Sequence, residues 1–204
     1  MTRFFAKTNR ILMLLLLPFV SLMANSADLT DVNAIVTMAN MASYYAADDG
    51  STQARMKIVD AQGNKQLRMF TILRKDQADL GDQDMLVFFS RPTDVKGTVF
   101  RVTKKVNGDD DRWLYLPALD LVKRISAGDK RTSFVGAHFY YEDVSGRNPK
   151  DDTFTLTNTD DKFYTLKAVP KVRSNVEFDH YIVKIDKNTF LPMTVTYFND
   201  RSEK

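Results

Sequence analysis

Residues 85–116, MLVFFSRPTDVKGTVFRVTKKVNGDDDRWLYL, read as three consecutive β-strands, and they decide the fold class. Met85–Ser90, Gly97–Val106 and Arg112–Leu116 are short, rich in β-branched and aromatic residues, and punctuated by turn chemistry. Gly108, Asp109, Asp110 and Asp111 turn the chain between the second and third runs. Leu86 and Phe88 oppose Met85, Val87 and Phe89, while Trp113 and Tyr115 oppose Leu114 and Leu116. Both faces of these strands are apolar. A sheet wetted on one side alternates more cleanly, so two-sided burial is expected, with a helix or ligand on one side and chain on the other.

Working outward, the same period of two continues. On the N-terminal side, Arg55–Val59 and Gln66–Arg74 flank Asp60-Ala61-Gln62-Gly63-Asn64, a hairpin connection. On the C-terminal side, Leu121–Ser126, Thr153–Thr157, Lys162–Val169, Phe178–Asp186 and Leu191–Phe198 complete the series, with turns at 158–161 and 187–189. Such strands, with frequent turn signals and no strand–helix alternation, predict a sandwich or barrel of antiparallel neighbours. One segment breaks the pattern. Ser126–Lys150 (SAGDKRTSFVGAHFYYEDVSGRNPK) is irregular, glycine-punctuated and aromatic; it is either a functional loop or the filling of the barrel's end.

A single convincing helix precedes the strands, from Asp28 to about Ala46. Asp28 can cap it, and Asp31 favours the helix dipole. Thr30, Asn33, Thr37 and Asn40 form a narrow polar stripe; apolar residues cover most of the remaining girth. A helix with so little charge is built to lie against apolar material, as a movable lid or as a permanent core element.

The N-terminus has the order of a secretory signal. Arg3, Lys7 and Arg10 precede the apolar run Ile11–Val20, and small residues follow, with Ala24 and Ala27 as cleavage candidates. The alternative is a membrane anchor, but the run of ten residues is half of the roughly twenty needed to span a bilayer. We expect residues 1–27 to be removed near Ala24 or Ala27, residues 28–204 to form a single β domain, and the mature chain to have no stable membrane anchor. The chain has 29 Lys and Arg against 26 Asp and Glu; three of the basic residues precede Asp28, which leaves 26 of each. A neutral mature chain lacks the positive field that nucleic-acid binding needs. It has no cysteine, so neither disulfides nor a lipidated cysteine hold it.

Catalytic and metal-binding patterns are missing. The two histidines, His138 and His180, are distant and lack metal-ligand spacing. There is no nucleophile elbow, phosphate loop or dinucleotide fingerprint. Asp109–Asp111 lacks the alternating ligand spacing of a calcium loop and reads as a solvated turn. No catalytic residue, metal or cofactor is expected, and the chain does not read as an enzyme.

Several strings carry a resemblance. Phe88-Phe89-Ser90-Arg91-Pro92-Thr93-Asp94-Val95-Lys96-Gly97-Thr98, Asp111-Arg112-Trp113-Leu114-Tyr115-Leu116-Pro117-Ala118-Leu119 with Lys123-Arg124-Ile125, Ser133-Phe134-Val135-Gly136 and Tyr140-Tyr141-Glu142-Asp143 resemble the outer-membrane lipoprotein-sorting, LolA-like family. The resemblance runs from about Ala34 to the C-terminus. It implies a mainly β fold with one N-terminal helix: an incomplete antiparallel β-barrel with a helical or loop lid over a hydrophobic cavity. It also implies a periplasmic carrier or chaperone taking lipoprotein acyl chains or other lipid-like cargo toward the outer membrane. For some members it implies a link to inner-membrane transporters of the resistance-nodulation-division (RND) class. The alternative is a non-enzymatic adaptor or sensor docking on such a transporter. Members of the family continue past the Leu191–Phe198 strand, so a shortened C-terminus is also expected.

A carrier needs apolar surface that a lid can cover and cargo can claim. The expected lid residues are Ile35, Met38, Met41 and Tyr45. The expected wall is Met56, Ile58, Phe70, Ile72, Phe88, Phe100, Trp113, Tyr115 and Tyr181. Flexible methionine thioethers suit irregular ligands. Each of these residues is equally readable as ordinary barrel core.

Overall fold

The computed structural model describes residues 28–199; the expected signal segment and residues 200–204 lie outside them. The elements run α1 (Val32–Tyr44), β1 (Asp49–Val59), β2 (Lys65–Asp76), β3 (Gln83–Arg91), β4 (Val99–Lys104), β5 (Asp111–Leu116), β6 (Leu121–Ile125), α2 (Tyr141–Ser145), β7 (Asp152–Thr159), β8 (Phe163–Pro170), β9 (His180–Asp186) and β10 (Pro192–Phe198). Every strand expected from the period of two is present. The first is longer than its pattern, because the polar stretch from Asp49 to Gln53 pairs with Thr71–Lys75 along the sheet edge.

The strands form two antiparallel sheets that do not close into a barrel: a six-stranded meander, β1 to β6 in order, and a four-stranded sheet, β10-β9-β8-β7. This is the incomplete barrel that the resemblance implies. Hairpin turns are fixed by aspartates. The Asp60 carboxylate accepts from the backbone of Gln62 and Asn64 at 3.0 and 2.8 Å, and Asp160 does the same for Lys162 and Phe163, both at 2.8 Å.

Each sheet has its own core. In the six-stranded sheet Val87, Phe89, Phe100, Val102 and Leu114 point inward, and the segment after β6 folds back to cover them. Phe134 and Tyr141 of that segment meet Phe100 with ring centres 5.4 and 5.1 Å away. These aromatic pairs close the layer. The irregular 126–150 stretch therefore covers the inner face of the six-stranded sheet.

On the four-stranded sheet the covering element is α1. Ile35 and Ala39 are buried against Leu166, Ala168, Val183 and Ile185. The helix starts later than expected. Asp31 is its cap, with the carboxylate accepting from the Asn33 backbone at 2.9 Å. Asp28 instead pairs with Lys187 at 2.5 Å. Met38 and Met41, 38% and 40% exposed, face away from the sheet. Among the described residues no helix is long and apolar enough to cross a membrane.

Candidate functional site

A cavity of about 730 Å³ opens between α1, the four-stranded sheet and the 126–150 segment. Its roof is one face of α1: Val36, Ala39, Asn40 and Ser43, which follow one another at helical spacing, then Tyr44. Its floor is Phe154, Leu166, Tyr181, Val183 and Ile185 from β7, β8 and β9. One side is Pro192, Val195, Tyr197 and Phe198 of β10, which among the described residues is the edge strand of its sheet. The other side comes from the 126–150 segment, where Arg131, Phe139, Tyr140, Asp143 and Arg147 line the space with His138 and Gly146. Most of this surface is aliphatic or aromatic.

The polar side is a knot of ion pairs. The Arg131 guanidinium donates to Asp143 at 2.6 Å and to Glu177 through Nε at 3.1 Å and through a terminal nitrogen. Arg147 forms a fork on Asp152 (2.8 and 2.7 Å) and reaches Glu142 at 3.0 Å. Lys130 also holds Glu142, at 2.9 Å. Burial alone would raise the Glu142 pKa, but Arg147, Lys130 and Arg131 together hold it below the usual carboxylate range. Burial likewise opposes charge on Arg131 and Arg147, and their carboxylate partners outweigh it and raise both pKa values. At the cavity floor the Tyr181 hydroxyl donates to Asp152 at 2.8 Å. Burial, then the Asp152 charge, drives the Tyr181 pKa far upward; burial, then the charge of Asp143, pushes Tyr197 up to about 12. Both phenols are therefore neutral. The site offers neutral hydroxyls, saturated ion pairs and carbon; among the described residues no three His, Cys, Asp or Glu side chains come together to hold a metal ion.

The thirteen residues expected from sequence fall into separate places. Tyr181 lines this cavity. Ile35 lies under α1 in the core of the four-stranded sheet, while Met38 and Met41 face outward. Tyr45 lines a smaller adjoining cavity of about 190 Å³, and its hydroxyl donates to the Gly81 carbonyl at 2.8 Å. Phe70 and Phe100 are core residues of the six-stranded sheet, Met56 and Ile72 pack against that core, and Ile58 is half-buried further along β1. Phe88, Trp113 and Tyr115 lie on that sheet's opposite, outer face, because Phe89 and Leu114 take the inward positions.

What the sequence reading lacks is the wall from β10 and the charged side. Val195 and Tyr197 alternate within a recognised strand, and Arg131, Asp143 and Arg147 lie within the aromatic segment already singled out. The signal was charge interleaved with aromatic residues there.

The fold is shared with solved structures. An outer membrane lipoprotein-sorting protein domain from Vibrio parahaemolyticus is 28% identical, with a TM-score of 0.72, over 82% of this chain and 72% of that one. A DUF1329 family protein from Desulfovibrio piger is 29% identical, with a TM-score of 0.71, over 83% and 74%. A LolA superfamily protein from Nitrosomonas europaea shares the fold at 17% identity and a TM-score of 0.57, over 83% and 72%. The chain shares the LolA-like fold with these proteins. A protein-family model described as "uncharacterized protein" matches residues 81–204, and no curated protein matches the chain. In LolA-like terms, the two sheets are the incomplete barrel and α1 with the 126–150 segment is its cover.

Proposed function

We propose that this LolA-like chain is a periplasmic, non-enzymatic carrier that holds lipid-like cargo, a lipoprotein acyl chain or a comparable amphiphile, in the cavity beneath α1 for transfer toward the outer membrane. The observation that carries this reading is the size and chemistry of the cavity: about 730 Å³ walled by α1, β7–β10 and the 126–150 segment. A packed methylene takes up roughly 30 Å³, close to one water's share of the liquid. The space therefore matches one long acyl chain, or two short ones. Burying some fifteen methylenes yields about 12 kcal/mol of gross transfer free energy, part of which is lost in ordering the chain. Binding is strong without any covalent step.

Release follows from the same geometry. The face of α1 above the cavity carries Asn40 and Ser43 among its apolar residues, so the empty state is tolerably wet. The open side along β10 gives cargo a way in that leaves both cores intact. The expected export signal, Arg3 to Ala27, supports an exchange outside the cytoplasm. A membrane partner, for which an RND-class transporter is the candidate, finds exposed apolar surface on the outer face of the six-stranded sheet, where Phe88 and Trp113 are 45% and 37% exposed.

Titration with a fluorescent acylated probe tests the reading. Val195→Asp puts a charge in the cavity wall at a partly exposed position, where folding tolerates it. It is expected to weaken probe binding by at least about tenfold, whereas Trp113→Asp, on the far face, leaves binding unchanged. Equal loss in both variants, or in neither, contradicts the assignment of cargo to this cavity.

A further inference from the structure

We propose that the cavity selects amphiphiles whose head group is cationic or carries an ammonium over those with an anionic head. This rests on the carrier reading above and adds to it the chemistry of the head group.

The argument begins with which charges are already spent. Arg131 gives Nε and both terminal nitrogens to carboxylates, and Arg147 does the same. The faces of Arg131 are also covered: its guanidinium carbon lies 4.2 Å from the Tyr140 ring centre and 5.5 Å from that of Phe178. The two guanidinium side chains are only 9% and 13% exposed. An anionic head would have to displace a carboxylate from a nearly saturated fork.

The accessible groups are of the opposite sign. The Glu177 side chain is 46% exposed and that of Asp143 is 23% exposed. Each carboxylate oxygen has more than one lone pair, so hydrogen-bond acceptance remains while donation is largely used. Among the charged residues that line the cavity, Arg131 and Arg147 balance Asp143 and Glu177 in number. What the polar side leaves open to a guest is therefore carboxylate acceptance at the exposed Glu177 rather than guanidinium donation. The polar side stands beside the aromatic side chains of Phe139 and Tyr197, whose faces attract cations. A tail under α1 with an ammonium beside Glu177 satisfies both halves of the cavity.

The test uses the mature full chain loaded with the fluorescent acyl probe and three amphiphiles sharing one twelve-carbon tail below their micelle concentrations: dodecylammonium, dodecyl maltoside and laurate. Dodecylammonium is expected to displace the probe at about one-tenth the concentration that laurate needs, with the maltoside between them. Raising the salt to roughly 0.5 M should shrink that ratio by screening. Glu177→Gln should reduce it to about threefold, and the salt series on the unaltered protein gives an independent reading should this variant fold poorly. Laurate binding as tightly as dodecylammonium while the maltoside still displaces the probe overturns the head-group selectivity and leaves the carrier standing. Failure of the probe itself to bind sinks the carrier and this inference together.

Discussion

Glu142 is the residue on which the charged side of the cavity turns. Its side chain is almost wholly buried, and it is held by Lys130, Arg131 and Arg147 from the segment that covers the six-stranded sheet. Removing one member of such a buried group leaves its partners uncompensated, which costs about 3 kcal/mol or more. Glu142→Gln is therefore expected to lower the unfolding free energy by about that amount in urea titration. The pH dependence has a definite sign. Because the folded pKa lies below the ordinary value of 4.5, the contribution is complete above that value and disappears as pH falls through the folded pKa. Thermal melts should show stability falling on acidification below about pH 4.5, with a shallower fall in Glu142→Gln. At this scale the sequence was legible where the chemistry is local. The aspartate turns at Asp60 and Asp160 are set by neighbours two to four residues away. The ion-pair knot was not, because Glu177 meets Arg131 across 46 residues.

Among the elements, α1 decides whether the cavity is covered, and its two ends are tied differently. At the start, the Leu29 backbone donates to the Tyr164 hydroxyl at 3.1 Å. At the end, Gln83 donates to the Tyr44 carbonyl at 2.7 Å, the Arg74 guanidinium lies 4.6 Å over the Tyr44 ring, and the same ring rests on Gly146. A Cβ at Gly146 would fall 2.6 Å from the Tyr44 hydroxyl oxygen, and its φ of +85° disfavours a side chain as well. Gly146→Ala should thus destabilise the protein by about 1–3 kcal/mol and raise amide hydrogen exchange in the last turn of α1. The sequence showed that α1 exists and that it is apolar over most of its girth. Which side faces the sheet was hidden for that same reason: Ile35 and Met38 are equally apolar, and only the packing on β8 and β9 selects Ile35. The strands tell the same story. Alternation fixed that Trp113 and Tyr115 share a face and that Leu114 lies on the other, but with both faces apolar it could not fix which face is inside.

At the scale of the molecule, the decisive feature is that the two sheets formed by the described residues remain open. Among the described residues β10 is an edge strand whose seven residues are all exposed, among them Met193, Val195 and Tyr197. An apolar edge of this kind pairs with other chains unless something occupies it. Empty protein is expected to self-associate as its concentration rises, measurably by light scattering. Met193→Lys should suppress this by placing charge on the edge, since Met193 is not among the cavity-lining residues. The strand runs and the antiparallel pairing of neighbours could be read from the chain because turn residues separate the runs; their division into sheets of six and four could not. The cavity could not, because it is vacant space between elements distant in sequence, and a gap leaves no composition behind.

The central claim is that the space beneath α1 takes up a lipid-like guest. Native mass spectrometry of the mature chain after detergent-free purification tests it most directly. The account predicts a second charge series heavier by the mass of an acyl-chain lipid, lost in Val195→Asp and retained in Trp113→Asp. A single series at the bare polypeptide mass, unchanged after incubation with lipid vesicles, would contradict it.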